Sequence, residues 1–362
     1  MPSPIRILVL YTELAPYVLA CFKAAVARDG VEFHVVRWPV NQEAPFALEP
    51  GQGITLYDRK DFDTPALLKL AEQCAPALVL TSGWVDKGYL AVCRKLNLRR
   101  VPTVMTFDTA WTGSVRQWVS AIAARFWVPL TFSHAWATGQ RQMVYARLLG
   151  FQPFRIRTGF YAADTAMFAP LGERLLAERA QQWPHRFLCV ARYIPTKGQQ
   201  MLCEAFAALC DAGQAGDWQL TLVGTGEQFE AVTSSAAGRH PRIEHLGFRQ
   251  AHELEEVIAR SGAFVLPSLY EPWGVVVQEQ ACSGLPLVLS NAVGASERFL
   301  EPGCNGYAFK AGNSADLQKA LRSIIEQSDN ELQRMGRHSA LLGTAWSPEA
   351  WAKVLNELLS ER

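Results

Sequence analysis

The feature that most restricts the fold of this 362-residue chain is an alternation that runs through most of its length. Short, almost wholly apolar runs are separated by longer segments whose apolar residues recur at helical spacing. A strand that is apolar on both faces is buried on both faces, which is the condition of a parallel sheet covered by crossover helices. In the first half the runs Ile5–Leu10, Glu32–Arg37, Ala77–Thr81 and Thr103–Thr106, with a weaker one at Ala135–Thr138, are predicted strands. Tyr17–Arg28 and Lys87–Leu96 are predicted helices between them, and Asp63-Thr64-Pro65 marks another helix start, with a capping carboxylate and a proline in the first turn.

The pattern lapses over Thr158–Pro170 and resumes with a helical segment and the strand Arg186–Ala191. From there the strands Gln219–Val223, Ile243–Leu246, Ala263–Pro267 and Pro286–Ser290 alternate with the helices Gln199–Ala212, Gly226–Ala237, His252–Arg260 and Val277–Ser283. Two Rossmann-like doubly wound domains facing a central cleft follow, over residues 1–165 and 166–345, with an amphipathic helix in 346–362 after Trp346-Ser347-Pro348. The length suits two such domains, each able to bury its own core.

Apolar residues make up 49% of the chain and charged residues 19%, the balance of a globular protein. The formal net charge of +1 conceals an asymmetry: residues 1–165 carry 18 Lys and Arg against 12 Asp and Glu, and the remainder 17 against 22. A basic first half suits an anionic surface or acceptor. The eight cysteines form no CxxC pair and sit mostly among apolar residues, as reduced core cysteines of a cytoplasmic protein do. The opening run breaks into Thr12 and Glu13 without a cleavage site, so it is expected to be a first strand and not a signal peptide. Trp118 to Trp136 is the most apolar long stretch; Arg125 and His134 make it too polar to span a membrane. A buried helix is the plainer expectation, and a helix lying on a membrane surface the other.

The most informative segment is Glu271-Pro-Trp-Gly-Val-Val-Val-Gln-Glu279, between a predicted strand and an apolar helix. Its two glutamates flank Trp273, Gly274 and Val275, at a helix start whose unpaired amides and dipole favour an anion. A sugar diphosphate fits there, with one carboxylate accepting from sugar hydroxyls and the other from ribose. Arg192 and Lys197, between the first strand and first helix of the second domain, stand at the same end of the sheet and supply charge-assisted donors for a leaving diphosphate. Gly224-Thr225-Gly226 allows a close backbone approach, to a ligand or simply at a strand-to-helix turn.

These elements together resemble glycosyltransferases of family 4, retaining enzymes of the α/β GT-B fold among the glycosyl transferases of group 1. The resemblance is carried by VARYIPTKG, LVGTGEQ, HLGFRQAHELEEVIARSGAFVLPSLYEPWGVVVQEQACSGLPLVLSNAVGASE and NGYAF, over roughly residues 186–310. It implies that Arg192 and Lys197 bind the donor diphosphate and that Glu271, with the backbone of Trp273, Gly274 and Val275, holds the transferred sugar. It implies further that Glu279 meets the ribose, that Gly247-Phe248 lies at the nucleobase, and that the helix Trp351–Leu359 crosses back to the first domain. The first half matches less well: YTELAPY after the first strand has no glycine. Asp108, after the fourth predicted strand, stands where family members place a histidine or acidic residue, and is a candidate for contacting the transferred sugar or acceptor hydroxyl, or for capping a helix.

The resemblance implies a hexosyltransferase-type activity in polysaccharide, lipopolysaccharide or glycoconjugate synthesis, acting on a nucleotide-sugar donor and a saccharide or lipid-linked acceptor. No cofactor, no metal and no nucleic acid is implied. The sole Asp-x-Asp, Asp61-Phe62-Asp63, leads into a helix start and is not expected to hold a metal, and His134, His240 and His245 are expected to be structural or surface residues. A sugar-nucleotide epimerase of the same architecture is the alternative. A nicotinamide-dependent oxidoreductase is disfavoured, because no GxGxxG follows the first strand. The stretch holding Arg116, Trp118, Arg125, Phe126 and Trp127 motivates contact of the first domain with the inner face of a membrane.

Overall fold

The computed structural model describes residues 4–39 and 46–361. The described residues divide into two compact units, one holding residues 4–39 and 46–164 together with 346–361, the other Thr165–Ala345.

In the first unit the elements follow in the order β1 (Arg6–Tyr11), α1 (Pro16–Asp29), β2 (Glu32–Arg37), β3 (Ile54–Asp58), α2 (Thr64–Cys74), β4 (Leu78–Ser82), α3 (Lys87–Leu98), β5 (Thr103–Phe107), α4 (Val115–Thr131), β6 (His134–Ala137), α5 (Gln140–Leu148) and β7 (Ile156–Arg157). The sheet is wholly parallel, in the order β3-β2-β1-β4-β5-β6-β7. The central strands are buried on both faces, as their unbroken apolar runs require: Ile7 to Leu10 and Leu78 to Leu80 are all buried. Asp63 caps α2, its carboxylate accepting from the amide of Ala66 at 2.8 Å.

The second unit runs α6 (Thr165–Glu178), β8 (Arg186–Val190), α7 (Gln199–Asp211), β9 (Gln219–Val223), α8 (Phe229–Ser234), β10 (Ile243–His245), α9 (Leu254–Ala259), β11 (Ala263–Leu266), α10 (Val275–Cys282), β12 (Leu287–Ser290), α11 (Ser296–Phe299), β13 (Gly306–Phe309), α12 (Ser314–Ile325) and α13 (Asp329–Thr344). Its parallel sheet is ordered β10-β9-β8-β11-β12-β13. Both units are therefore Rossmann-like: the first strand lies inside the sheet and the strand order reverses beside it, between β1 and β4 and between β8 and β11.

Two sequence expectations change. The apparent lapse up to Pro170 ends earlier, since α6 already begins at Thr165 and carries Pro170 within its second turn. A proline there removes one early backbone donor and weakens the helical signature without ending the helix. The stretch from Trp118 is not a buried helix. It comprises α4 and then β6, and α4 buries only Ala121, Ala124, Val128 and Thr131 while its large apolar side chains face outward. Of the eight cysteines six are buried, Cys210 is half-buried and Cys304 is exposed; all are free thiols.

The last helix, α14 (Pro348–Ser360), lies in the first unit and packs on α1. Ser347 caps it, with its hydroxyl accepting from the amide of Ala350. Trp351 is the anchor: it is buried, stacks on Trp136 with ring centroids 4.7 Å apart, and donates its Nε1–H to the carbonyl of Phe160 at 2.7 Å. Trp351→Ala removes a buried aromatic and leaves a cavity that the stacked rings cannot fill, so it is expected to cost about 3–5 kcal/mol. Urea unfolding followed by far-UV circular dichroism reads that cost, and Trp351→Phe is expected to recover most of it.

Candidate functional site

The reversal of strand order between β8 and β11 sends the loops that follow these two strands out of the same sheet edge, side by side. The first loop, Ala191–Gly198, carries Arg192 and ends in a short 3-10 turn, Pro195–Lys197. The second runs from Pro267 to Gly274. They are laced together: the amide of Leu269 donates to the carbonyl of Thr196 at 2.7 Å. Gly198 has a φ of +73° and no room for a side chain, since an added Cβ would stand 2.5 Å from the carbonyl of Pro267.

Across this seam the ammonium of Lys197 pairs with the carboxylate of Glu271. Their side chains are only 14% and 11% exposed, so the pair is largely withdrawn from water. Losing either partner would leave the other charge uncompensated. The Glu271 backbone is fixed independently, as a bridge to Val293 whose next amide, that of Gly294, donates to the carbonyl of Glu271 at 3.0 Å. The carbonyl of Trp273 accepts from the amide of Ala295 at 2.8 Å.

Gly274 then turns the chain into α10 at a φ of +91°, and no side chain caps that helix start. A Cβ on Gly274 would press to 3.0 Å from Cγ of Glu271, so the glycine lets the carboxylate and the helix start approach each other. Val275 opens α10 and Glu279 sits half-buried a turn further on. Two buried polar atoms on the second loop, Ser268 Oγ and Trp273 Nε1, have no hydrogen-bond partner.

Gly224 and Gly226 serve a different approach. An added Cβ at Gly224 would lie 2.0 Å from the carbonyl of Ala191, and at Gly226 2.6 Å from that of Tyr193. The backbone that comes close is the chain's own loop after β8, tied down by Ala191 donating to Val223 at 3.0 Å and Tyr193 to Thr225 at 2.8 Å. The Gly224 amide itself donates to the carbonyl of Gly247 at 2.7 Å, which also places the Gly247-Phe248 turn beside it. Gly224 thus holds the loop that carries Arg192. The carbonyl of Arg192 in turn accepts from Gln199 Nε2 at 2.7 Å.

Histidine 245 locks this arrangement from below. Its Nε2 lies 3.1 Å from the carbonyl of Gly238, which can only accept, so that nitrogen carries the proton. The other, Nδ1, accepts from the hydroxyl of Tyr193 at 2.8 Å. Nothing in the sequence pattern marks this residue, because a histidine ending a short strand is common.

Asp108 belongs to the first unit, at the carboxyl end of β5, where its carbonyl accepts from Gln142 Nε2 at 2.8 Å. Near it sequence reasoning missed Tyr11 and Tyr161, which share a hydrogen bond and whose hydroxyls burial pushes well above the usual range, the charge of Asp108 adding to the effect. At the neighbouring strand end the Ser82 hydroxyl accepts from the amide of Thr12 at 2.8 Å and closes the YTELAPY loop onto β4. The structure therefore joins Lys197, Glu271 and Gly274 directly, sets Arg192, Gly224 and Phe248 around them, and carries Asp108 on another unit. Among the described residues no group of three His, Cys, Asp or Glu is placed to hold a metal ion.

Comparison with known proteins gives this site a family. Residues 178–341 match the family described as glycosyl transferases group 1. Glycogen synthase of Mycobacterium tuberculosis H37Rv is 33% identical over 155 residues, 41% of this chain and 36% of that protein, so the chain spans about a third of that relative's length. Phosphatidyl-myo-inositol mannosyltransferase of Mycobacterium leprae is 27% identical over 309 residues, covering 83% of this chain and 72% of that one. Among solved structures, Anabaena HepE in complex with UDP and glucose superposes with a TM-score of 0.74 at 18% identity, over 99% of this chain and 100% of that one. The fold is GT-B, with two Rossmann-like domains, and the segment 178–341 matches the group 1 glycosyl transferases.

Burial holds the His245 imidazole below its ordinary value of 6.5, partly opposed by the Gly238 carbonyl. The unfolded chain then binds the proton more readily than the native one, so this residue's stabilising contribution is complete above about pH 6.5 and is lost as pH falls through the lower native value. Thermal unfolding at pH 7.5 and 5.5 is expected to show a larger drop for the wild type than for His245→Gln, with the difference assigned to this imidazole.

Proposed function

We propose that the chain is a retaining glycosyltransferase of family 4 that moves a sugar from a nucleotide-sugar donor to a saccharide or lipid-linked acceptor in the synthesis of cell-envelope polysaccharide, lipopolysaccharide or a glycoconjugate. The observation that carries this reading is the buried Lys197 and Glu271 pair set against the uncapped start of α10 at the strand-order reversal. That position combines a cation, a helix N-terminus and a carboxylate, which are the groups a sugar diphosphate needs. The group 1 match over the same residues supports it.

In this reading Arg192 and Lys197 receive the two phosphates, one as a planar fork and the other as a point charge, and the first amides of α10 after Gly274 add their dipole. Lys197 has three donors, so it can keep Glu271 while meeting a phosphate oxygen. Glu271 accepts from hydroxyls of the transferred sugar, with the backbone of Trp273, Gly274 and Val275 alongside. Glu279 accepts from the ribose hydroxyls, and the Gly247-Phe248 turn, held in place through Gly224, borders the nucleobase. Asp108 is assigned to the acceptor or sugar hydroxyls on the first unit.

The anomeric bond to the diphosphate breaks with its electron pair going to the phosphate oxygen, and positive charge develops at the anomeric carbon. The acceptor hydroxyl attacks from the same face and passes its proton to the departing phosphate, so configuration is kept. Lys197, Arg192 and the helix start stabilise the charge that grows on the leaving group. No metal or other cofactor is assigned a part in this scheme, and no nucleic acid partner is proposed. The buried thiols suit a cytoplasmic setting, and the basic first unit suits peripheral contact with a membrane there. Among the described residues no helix is long and apolar enough to cross one.

Glu271→Gln and Lys197→Ala are expected to lower turnover at least a hundredfold, the scale of losing one transition-state electrostatic contact, while far-UV circular dichroism stays that of the wild type. Near wild-type turnover in either variant would remove the assignment of this site. A thermal-shift panel of nucleoside diphosphates and sugar nucleotides, with uridine compounds first, tests the donor directly. A ligand at about 100 times its dissociation constant stabilises by about 2.7 kcal/mol. The expected result is stabilisation by one nucleotide class that EDTA leaves unchanged and that Glu279→Ala abolishes; dependence on a divalent ion would overturn the metal-free scheme.

A further inference from the structure

Helix α4 is built inside out. At 100° per residue, Val115, Val119, Ile122, Phe126 and Leu130 fall on one stripe with Trp118 at its edge, and every one of them is exposed, Val115 to 80% and Phe126 to 77%. The opposite face, Ala121, Ala124, Val128 and Thr131, is the buried one. A helix of an ordinary globular protein turns its large apolar side chains inward, so a stripe of this kind marks a surface that meets an apolar partner.

Charge identifies the partner. Arg116 and Arg125 stand exposed on either side of the stripe, at the positions from which guanidinium groups reach headgroups while the apolar side chains sink between them. From Lys87 to Arg157 the sequence holds eleven Lys and Arg and a single acidic residue, Asp108. Some of these cations are answered from elsewhere, Lys95 and Arg99 by Glu72 and Arg157 by Glu357 and Glu361, yet the segment remains strongly basic. A second copy of the chain would oppose this basic face with an identical one. An anionic bilayer answers both the charge and the apolar stripe. Trp127 takes no part: it is half-buried, edge-on to Trp84 at 5.7 Å and beneath the guanidinium of Arg94 at 6.0 Å.

We propose that α4 is an interfacial anchor, lying flat in an anionic membrane surface with Val119, Ile122 and Phe126 inserted, Trp118 at the edge against Trp111, and Arg116 and Arg125 on lipid phosphates. The proposal sharpens the reading of peripheral membrane contact given above and is independent of the donor site. It accounts for the length of the stripe, which at 1.5 Å per residue extends about 22 Å along the helix and presents one continuous face to a plane.

Flotation of the full chain with phosphatidylcholine vesicles, with and without phosphatidylglycerol, tests it. The wild type is expected to float with the anionic vesicles. Val119→Ser, Ile122→Ser and Phe126→Ser together, which leave the ring contact of Trp118 with Trp111 in place, are expected to lower partitioning at least about tenfold, with unchanged urea midpoint and unchanged nucleotide-induced stabilisation. Arg116→Gln with Arg125→Gln is expected to weaken binding to the anionic vesicles only. If the wild type floats and the triple serine variant floats equally, the membrane contact stands and α4 is not its anchor. If the wild type binds neither vesicle, both readings fall. A dimer that the triple variant converts to a monomer, without vesicle binding, would make the occupant a second copy and overturn the proposal.

Discussion

A parallel strand can only be followed by a connection that leaves from its carboxyl end, and where strand order reverses two such connections must leave together. In the second unit that constraint acts between β8 and β11, and everything chemical in this half of the chain depends on it. It sets residues 74 positions apart in sequence against each other as the Lys197 and Glu271 pair. A carboxylate and an ammonium this withdrawn from water are stable only while each has the other, so the pair locks the seam between the two loops as well as poising it for an anion. The glycines around it keep that seam tight: Gly198 admits the carbonyl of Pro267, and Gly274 admits the side chain of Glu271.

Much of this was legible in the residues themselves. The runs at Ile7 to Leu10, Leu78 to Leu80 and Ala263 to Leu266 announce doubly buried strands because nothing polar interrupts them, and the Glu271 to Glu279 segment announces a helix start because Gly274 stands between a strand and an apolar run. Elements that depend on tertiary support were silent. β3 is an edge strand with mixed exposure, β7 is two residues long, and β13, α12 and α13 follow Pro286–Ser290, the last strand the apolar pattern marks. The Gly224-Thr225-Gly226 turn shows the limit of a short motif. The motif signals close approach correctly, but only the fold shows that the approaching group is the carbonyl of Ala191.

The two units place their chemistry by different means. In the second, charge is paired and buried. In the first, the end of β5 is bordered by neutral phenols: Tyr11 and Tyr161 are buried deeply enough that their hydroxyls remain protonated at any ordinary pH, each able to donate one hydrogen bond and to accept others. Asp108 adds its charge there, which raises both phenols further. A surface that holds a carboxylate against un-ionised hydroxyls suits recognition of a polyhydroxylated group more than of an anion, which is the ground for the acceptor role proposed for Asp108.

Helix α4 is where composition misleads and geometry decides. Read as a string, a run containing Trp118, Ile122, Phe126, Trp127 and Leu130 belongs in a core. Alanines occupy the core side because the helix is held elsewhere: Trp127 packs on Trp84, Arg94 donates to the Thr131 hydroxyl at 3.1 Å, and Asn97 Nδ2 donates to the carbonyl of Leu130 at 3.1 Å, the end where Pro129 weakens the ladder. Trp118 adds an edge-on contact with Trp111 at 5.0 Å, and none of these contacts uses the side chains of Val119, Ile122 or Phe126. Removing Val119, Ile122 and Phe126 therefore costs the fold little, and their exposed apolar area is left for an interaction outside the chain.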